Sequence, residues 1–398
     1  MNLPKIYNLL LYFILFLTIS FGVHLSFVNN YGWDWDTYGM INTFHNILEK
    51  NIYIKSRGTG YIVPELGIGF LSYFFGSFVT NLFCFALLIF GLFFFYASFE
   101  KKKKQKEFLF FLLFCLSNYI ILGDSTVPMD YSWSFCFFSL GLFFYSKNKS
   151  ELAIIFWCLC IGSRLNYIIF IIPSVLLLKN NLKYKLKILI IICTIFFGGL
   201  FYLPSWFSSG FTLDFIFTRQ WYNHYRPDAL LSYLGIGKFL YKVFLSIGYL
   251  SLVVIIFNFV YLKFKNNLIF FLTYKLLNTL ILLNLILYFF FPWQQAHLWI
   301  FIISLYYLLI KYFNFKVISI LIVLNISYWL VEFHPITVKR VKHECFNEMI
   351  GYVFKPELKK GFVFDTIDRR KWILCYPGID FPILLKYEKQ LQNGLRIK

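Results

Sequence analysis

The stretch TNLFCFALLIFGLFFFYASF, residues 80–99, is followed directly by EKKKKQK, residues 100–106. The first part has the length of about 20 apolar residues that an α-helix needs to cross roughly 30 Å of hydrocarbon. A lysine cluster at the end of such a run favours the cytoplasmic side of the membrane. Together the two parts predict a helix that crosses a membrane and ends in the cytoplasm.

The same arrangement recurs along the chain. Of the 398 residues, 59% are hydrophobic and 23% are aromatic, and apolar runs continue from one end of the sequence to the other. These runs do not alternate with polar residues as the strands of an outer-membrane barrel do. The fold class predicted is therefore an all-α polytopic membrane protein.

Short basic clusters separate the apolar runs and contribute to a net charge of +19. Such clusters orient membrane helices, and none of them lies in a motif that reads nucleic acid, so nucleic acid is not an expected partner. Residues 151–178 need a hairpin, because a single span would put the basic clusters at 146–149 and 179–187 on opposite faces. Its predicted tip is GSRLN, residues 162–166. The path has about eleven transmembrane helices: 4–28, 80–99, 108–123, 130–146, two short helices within 151–178, 187–204, 239–262, 268–291, 294–313 and 316–333.

This path predicts two domains with a cytoplasmic amino terminus. Residues 1–333 form the transmembrane domain, and residues 334–398 form a small soluble tail on the extracytoplasmic side. Apolar and polar residues alternate at GFVFDT, residues 361–366, which favours a small α+β unit. The first apolar run is too long for a signal peptide and lacks a cleavage site, so we interpret it as a retained span.

The first outer loop is expected to hold two interfacial helices. Apolar residues recur at helical spacing over 38–49, which predicts an amphipathic helix in the membrane interface. Pro64 is placed to begin a second short helix. Asp36 precedes the first of these helices, so an N-cap is one interpretation of its carboxylate.

Several short motifs occur in a particular order. They are DWDTYGM at 34–40, SRGTGY at 56–61 with PEL at 64–66, STVPMDYSW at 125–133, GSRLN at 162–166 and FPWQQAHLW at 291–299. This order resembles that of the GT-C class of membrane glycosyltransferases, over roughly residues 30–310. The resemblance implies transfer of a hexose or pentose from a polyprenyl-phosphate carrier to a glycan, lipid or protein hydroxyl. It also implies a multi-pass protein of the inner (plasma) membrane, in contact with membrane lipids, whose active site lies on the extracytoplasmic face.

Such a transfer needs a base for the acceptor hydroxyl and positive charge for the phosphate leaving group. Asp36 matches the first-loop carboxylate of the class and is the expected catalytic base, with Asp34 as the second choice. The expected ligands of the donor phosphate are Arg164, Arg57, Arg219 and Arg226. The other expected substrate-binding residues are Tyr61, Glu65, Asp130, His224, Gln294 and His297.

Arg164 has two interpretations of similar weight. A guanidinium at the tip of a membrane hairpin commonly marks a functional pathway, here the carrier phosphate. An internal ion pair with Asp130 or Glu65 is the structural alternative.

No cofactor is expected, and a divalent metal is possible but not indicated. Asp34 and Asp36 form a D-x-D pair like the one that holds a metal and a nucleotide sugar in soluble glycosyltransferases. Nucleotide sugars are cytoplasmic, whereas the predicted path puts this pair outside.

Two other functions are alternatives, and the first of them shares much of this charge pattern. A polysaccharide repeat-unit polymerase also has many spans and arginine-bearing outer loops. A transporter or flippase of lipid-linked glycans would instead carry charge near the bilayer midplane and show related halves.

Overall fold

The structure is a computed structural model that describes residues 3–32, 35–57, 59–100, 104–178, 182–212, 233–264, 274–290, 295–334, 337–341, 349–353 and 357–360. As far as Ser327 the described residues form helices and no strand. The helices are α1 Leu3–Val28, α2 Trp35–Lys50, α3 Ile62–Phe99, α4 Gln105–Ser117, α5 Tyr119–Ser125, α6 Asp130–Ser146, α7 Ser150–Ser163, α8 Ile168–Leu177, α9 Tyr184–Leu200, α10 Leu203–Ser208, α11 Tyr233–Ile247, α12 Tyr249–Phe264, α13 Lys275–Phe290, α14 Trp299–Tyr312 and α15 Phe315–Ser327, with 3-10 turns at Leu165–Tyr167 and Gln295–Leu298.

Four short strands follow the last described helix. β1, Val331–His334, pairs antiparallel with β4, Glu357–Lys360, with Val331 opposite Lys360. β2, Thr337–Val341, pairs antiparallel with β3, Met349–Val353. The predicted span 316–333 is thus too long, because α15 ends at Ser327 and strand begins at Val331. The predicted helical part of the tail lies outside the described residues.

Two described helices are long and apolar enough to cross a membrane, namely Leu9–Val28 within α1 and the whole of α3. Two bent pairs raise that number to four if each pair is one span: α4 with α5, bent by 78°, and Phe239–Ile247 with Tyr249–Tyr261, bent by 83°. The other apolar helices of the described residues are shorter than the roughly 20 residues that a span needs. Length and composition therefore support two to four spans, and not the predicted eleven.

Both bends occur where the sequence interrupts an apolar run with one residue. The side chain of Asn118 accepts hydrogen bonds from the backbone of Ile120 and Ile121, so it begins α5 as a new helix. Gly248 has φ +86°, which glycine adopts without steric cost. The amide nitrogen of Asn118 also donates to the carbonyl of Ser246 at 2.8 Å, which ties the two bends together. The helices predicted over 108–123 and 239–262 are therefore each broken into two at these positions.

α3 joins two segments that the sequence predicted as separate helices. Its 38 residues would measure about 57 Å if straight, nearly twice the hydrocarbon thickness. Gly76 interrupts it with φ 76° and ψ −176°. The segment before Gly76 packs closely on α2, because a Cβ added at Gly69 would lie 2.1 Å from Cβ of Phe44.

α7 and α8 form the predicted hairpin, and α6 packs beside it. The thiol of Cys160, near the end of α7, contacts the carbonyl of Ser134, near the beginning of α6. The hydroxyl of Tyr145, at the end of α6, donates to the carbonyl of Val175, near the end of α8, at 2.8 Å. α7 therefore runs antiparallel to α6, and α8 runs back in the same direction as α6. Arg164 lies at the turn between α7 and α8. The predicted hairpin shape of residues 151–178 is confirmed.

Candidate active site

The folded chain brings together five charged or titratable residues from distant parts of the sequence. Asp36 lies in the first turn of α2, and Arg57 lies in the loop between α2 and α3. Asp130 is the first residue of α6, Arg164 is the hairpin tip, and His297 lies in the 3-10 turn before α14. We call these five residues the charge ladder, because each contacts the next.

Arg57 is shared by two carboxylates that differ in depth. Its Nη1 lies 2.8 Å from Oδ2 of Asp36, and its Nη2 lies 3.3 Å from Oδ2 of Asp130. The side chain of Asp36 is 20% exposed, whereas that of Asp130 is fully buried. A buried carboxylate is stable only when it is paired, so Asp130 fixes the inner side of Arg57 while Asp36 holds its outer side.

Arg164 continues the charge ladder from Asp130. Its Nε lies 3.3 Å from Oδ2 of Asp130, and its Nη2 lies 3.4 Å from Nε2 of His297. Among the described residues, Asp130 and not Glu65 is the carboxylate that pairs with this guanidinium. The internal ion pair is thus the observed state of Arg164.

Two tyrosine rings lie beneath the two guanidiniums. The guanidinium carbon of Arg57 lies 4.5 Å from the ring centre of Tyr61, and that of Arg164 lies 4.1 Å from the ring centre of Tyr131. The ring of Tyr131 also meets the imidazole of His297 edge-on, at 5.8 Å between centres. Cation–π contacts of this kind hold a guanidinium in place and leave its edge available. The prediction from sequence included Tyr61 and missed Tyr131.

The charge ladder retains unused hydrogen-bonding capacity. Nε of Arg57, Nε of Arg164 and both carboxylate oxygens of Asp130 are buried and have no partner of hydrogen-bond geometry within the described part of the chain. The 3.3 Å contacts of Asp130 are therefore ion pairs rather than well-formed hydrogen bonds. Polar atoms that are buried without partners point to a ligand or water at that position.

Arg57 stays protonated at any physiological pH. Burial acts to lower its pKa, but the carboxylates of Asp130 and then Asp36 outweigh burial and raise the pKa above its ordinary value. Without His297, the charge ladder contains two carboxylates and two guanidiniums. This set of four residues is electrically neutral when Asp36 and Asp130 are ionised.

A second group of residues holds the loop that carries Arg57. The Glu65 carboxylate is fully buried and accepts hydrogen bonds from the Tyr53 hydroxyl at 2.7 Å and from the Ser56 backbone and hydroxyl at 2.9 and 2.5 Å. Burial, and then the Glu65 carboxylate, raise the pKa of Tyr53, so its phenol stays protonated. Gly60 closes the loop with φ +68°, and a Cβ there would lie 2.1 Å from Oγ of Ser205.

This geometry bears on the expected role of Glu65. The residue was predicted to bind substrate, but it lies in the first turn of α3 and its carboxylate accepts hydrogen bonds from Tyr53 and Ser56. Its position favours a role in holding the loop. Tyr53 and Ser56 were not predicted as part of the site.

Asp36 is not an N-cap in this structure. α2 begins at Trp35, so Asp36 lies within the first helical turn, where a negative charge interacts favourably with the helix dipole. The predicted helix over 38–49 is present and begins three residues earlier than expected. Asp34, Arg219, His224, Arg226 and Gln294, also predicted for the site, lie outside the described residues.

No group of three or more metal-ligating side chains with suitable geometry occurs in the part of the chain that the structure describes. No protein-family model, curated protein or solved structure matches the chain.

Proposed function

We propose that this protein is a membrane glycosyltransferase of the GT-C kind. It transfers a hexose or pentose from a polyprenyl phosphate to a hydroxyl of a glycan, lipid or protein. The observation that carries this proposal is the shared guanidinium of Arg57, which joins the partly exposed Asp36 to the buried Asp130. A carboxylate that reaches solvent beside fixed positive charge is the equipment that such a transfer needs.

Asp36 is the base of the proposed reaction. Its side chain is 20% exposed, so an acceptor that arrives from water can reach it. Asp130 is fully buried, and we assign it the task of positioning the two guanidiniums. Asp36 and Asp130 thus have different proposed roles because they differ in burial.

The transfer step balances without an oxidant, a reductant or a cofactor. The acceptor oxygen forms a bond to the anomeric carbon, and Asp36 takes the hydroxyl proton. The bond between the anomeric carbon and the phosphate oxygen breaks, and its electron pair leaves with the polyprenyl phosphate.

Arg57 and Arg164 stabilise the departing phosphate. A guanidinium presents two parallel N–H groups that match phosphate oxygens, and a dry site makes such contacts stronger than they are in water. Nε of Arg57 has no hydrogen-bond partner within the described part of the chain, so Arg57 retains a donor for a ligand. Phosphate is already a stable anion, so positive charge serves it better than a proton donor.

The membrane arrangement is also part of the proposal. The apolar helices are compatible with a membrane protein. We propose a polytopic helical bundle in which α7 and α8 are two short membrane helices joined at Arg164, with a small α+β tail on the same side as the charge ladder. That side is the extracytoplasmic face of the inner membrane, where a lipid-linked donor meets an acceptor from water.

The test uses purified protein reconstituted in lipid vesicles. One set of vesicles receives labelled hexosyl or pentosyl polyprenyl phosphates, and a parallel set receives a polyprenyl-pyrophosphate oligosaccharide. Arg164→Ala protein serves as the control. We expect release of polyprenyl phosphate and label in the acceptor, both lost in the control. Extension of the oligosaccharide alone would identify a polymerase, and movement of the intact lipid across the bilayer would identify a flippase.

A second measurement finds the natural acceptor. Lipid-linked and surface glycans of cells with and without the protein are compared by mass spectrometry. We expect one sugar to be missing from a surface glycan and its polyprenyl-phosphate form to accumulate. Unchanged glycans and unchanged lipid intermediates would contradict a glycosyltransferase.

A further inference from the structure

We infer that the ion pair between Asp36 and Arg57 is an autoinhibitory contact that the donor phosphate opens. In the structure the proposed base is held by the guanidinium that the phosphate needs. When the phosphate binds Arg57, it displaces the Asp36 carboxylate and makes it available to the acceptor. The inference rests on the proposed function and concerns the regulation of the same site.

The two carboxylates of Arg57 are not equally replaceable. Asp130 is fully buried and also contacts Arg164, so its removal from Arg57 would disturb the whole charge ladder. Asp36 is 20% exposed and contacts the outer nitrogen Nη1 at 2.8 Å. An incoming anion therefore exchanges with Asp36 and leaves the inner pair in place.

Arg57 itself is held firmly, so Asp36 is the partner that moves. The ring of Tyr61 lies beneath its guanidinium, at 4.5 Å from the ring centre. The preceding residue, Ser56, is bound to Glu65 through both its backbone nitrogen and its hydroxyl. Asp36 lies in the first turn of α2 and not in this loop, so we infer that the 2.8 Å contact opens by a movement of the Asp36 side chain.

Charge supports the same conclusion. The two carboxylates and two guanidiniums of the charge ladder carry no net charge when both carboxylates are ionised, so this set offers a phosphate no net positive charge while Asp36 is paired. A phosphodiester beside Arg57 would also lie near the Asp36 carboxylate, and like charges repel at that range. Separation of Asp36 from Arg57 removes this repulsion and leaves the guanidinium to the phosphate.

Because of this exchange, Asp36 becomes available as a base only when the donor is bound. A carboxylate oxygen that accepts a charge-assisted hydrogen bond is a poorer proton acceptor than one that has lost this bond. Without donor, Asp36 is occupied; with donor, it is released at the place where the acceptor arrives. The expected consequence is ordered binding, with the donor first.

The test measures the affinity for polyprenyl phosphate alone, which cannot transfer a sugar. We expect Asp36→Asn protein to bind it about 3- to 10-fold more tightly than the native protein, because the competing charge is gone. Arg57→Ala protein should bind it at least about 10-fold more weakly. Glu49→Gln is the matched control, because Glu49 lies on the same helix but pairs with His45, and its affinity should stay at the native value.

The possible outcomes separate the inference from the proposed function. Equal or weaker binding by Asp36→Asn, together with loss of binding in Arg57→Ala, would overturn the autoinhibitory contact and leave the donor site intact. Unchanged binding by Arg57→Ala would remove Arg57 from the donor site and so count against the proposed function. A gain in Glu49→Gln equal to that in Asp36→Asn would show a general charge effect and would also overturn the inference. If Asp36→Asn does not fold, Asp36→Ala carries the same expectation.

Discussion

Asp130 and Arg164 form an ion pair at 3.3 Å between Oδ2 and Nε, and this pair joins the beginning of α6 to the turn of the α7–α8 hairpin. Both side chains are almost entirely buried. In the sequence, 33 residues lie between Asp130 and Arg164, and the antiparallel packing of α6 and α7 brings their side chains together. The hairpin therefore sets the site geometry directly.

Asp130→Asn should destabilise the protein strongly. The change leaves two guanidiniums close together without the carboxylate between them, and loss of one partner from a buried ion pair costs about 3–5 kcal/mol. Thermal unfolding in detergent measures the effect. Glu151→Gln, at an exposed position on α7, is the control and should change stability by less than about 0.5 kcal/mol. Equal stability of the two variants would mean that Asp130 does not hold the charge ladder together.

Asp36→Asn should lose turnover and keep its fold. Loss of a catalytic base costs about 10²- to 10⁴-fold in rate, whereas the Asp36–Arg57 pair is partly exposed and contributes about 1 kcal/mol or less to stability. Turnover and detergent stability are measured on the same preparation. Asp34→Asn is the internal control, and a selective loss there would move the role of base two residues upstream. Near-native turnover in Asp36→Asn would end its assignment as the base.

The sequence predicted the residues of the charge ladder as part of a larger candidate set, and it offered the ion pair between Asp130 and Arg164 only as one of two interpretations. Asp36, Arg57, Asp130, Arg164 and His297 stood out because charged groups are rare among apolar runs and are costly there unless they have a role. Their order in the charge ladder depends on the antiparallel packing of α6 and α7, which no local pattern encodes.

Tyr131 was missed for a different reason. The chain contains 29 tyrosines, so one more beside Asp130 carried no information by itself.

The bends at Asn118 and Gly248 were missed because a single polar residue or glycine is tolerated inside a membrane helix, so neither marks a break. By contrast, the bounds of α6 were predicted correctly, since Asp130 and Lys147 flank an uninterrupted apolar run.

Arg164→Lys and Arg164→Ala should differ in donor binding. Lysine keeps the charge but loses the planar fork, so Arg164→Lys should retain part of the donor affinity, and Arg164→Ala should lose it. Binding of a polyprenyl-phosphate sugar is measured for both variants in the same vesicles. Unchanged affinity in folded Arg164→Ala protein would restrict this residue to its ion pair with Asp130.

Glu65→Gln should weaken donor binding indirectly. The buried carboxylate accepts hydrogen bonds from Tyr53 and from two groups of Ser56, so its loss loosens the loop that carries Arg57. We expect the KM for the donor to rise about 10-fold with a smaller change in kcat, because a misplaced guanidinium mainly loses binding. Tyr53→Phe removes one of these hydrogen bonds and should give a smaller rise.

A second measurement tests whether Glu65 holds the loop that carries Arg57. Reaction of Arg57 with phenylglyoxal, followed by peptide mass spectrometry, reports the freedom of the loop without any substrate. Faster labelling in Glu65→Gln than in native protein is the expected result. Equal labelling with an unchanged donor KM would show that the Arg57 loop does not depend on Glu65.

The proposed membrane hairpin at Arg164 would place the charge ladder near one face of the membrane, and single cysteines can test which face. α8 returns alongside α7, so positions 148 and 181 should lie on the same side and position 163 on the other. From the basic clusters near 148 and 181, the positive-inside rule predicts that this shared side is cytoplasmic and that the charge ladder lies outside. In a cysteine-free background, an impermeant thiol reagent should label position 163 from outside intact cells. It should label 148 and 181 only after the membrane is opened. Cytoplasmic access at position 163, or labelling of 148 and 181 from opposite sides, would contradict both the topology and the proposed extracytoplasmic reaction.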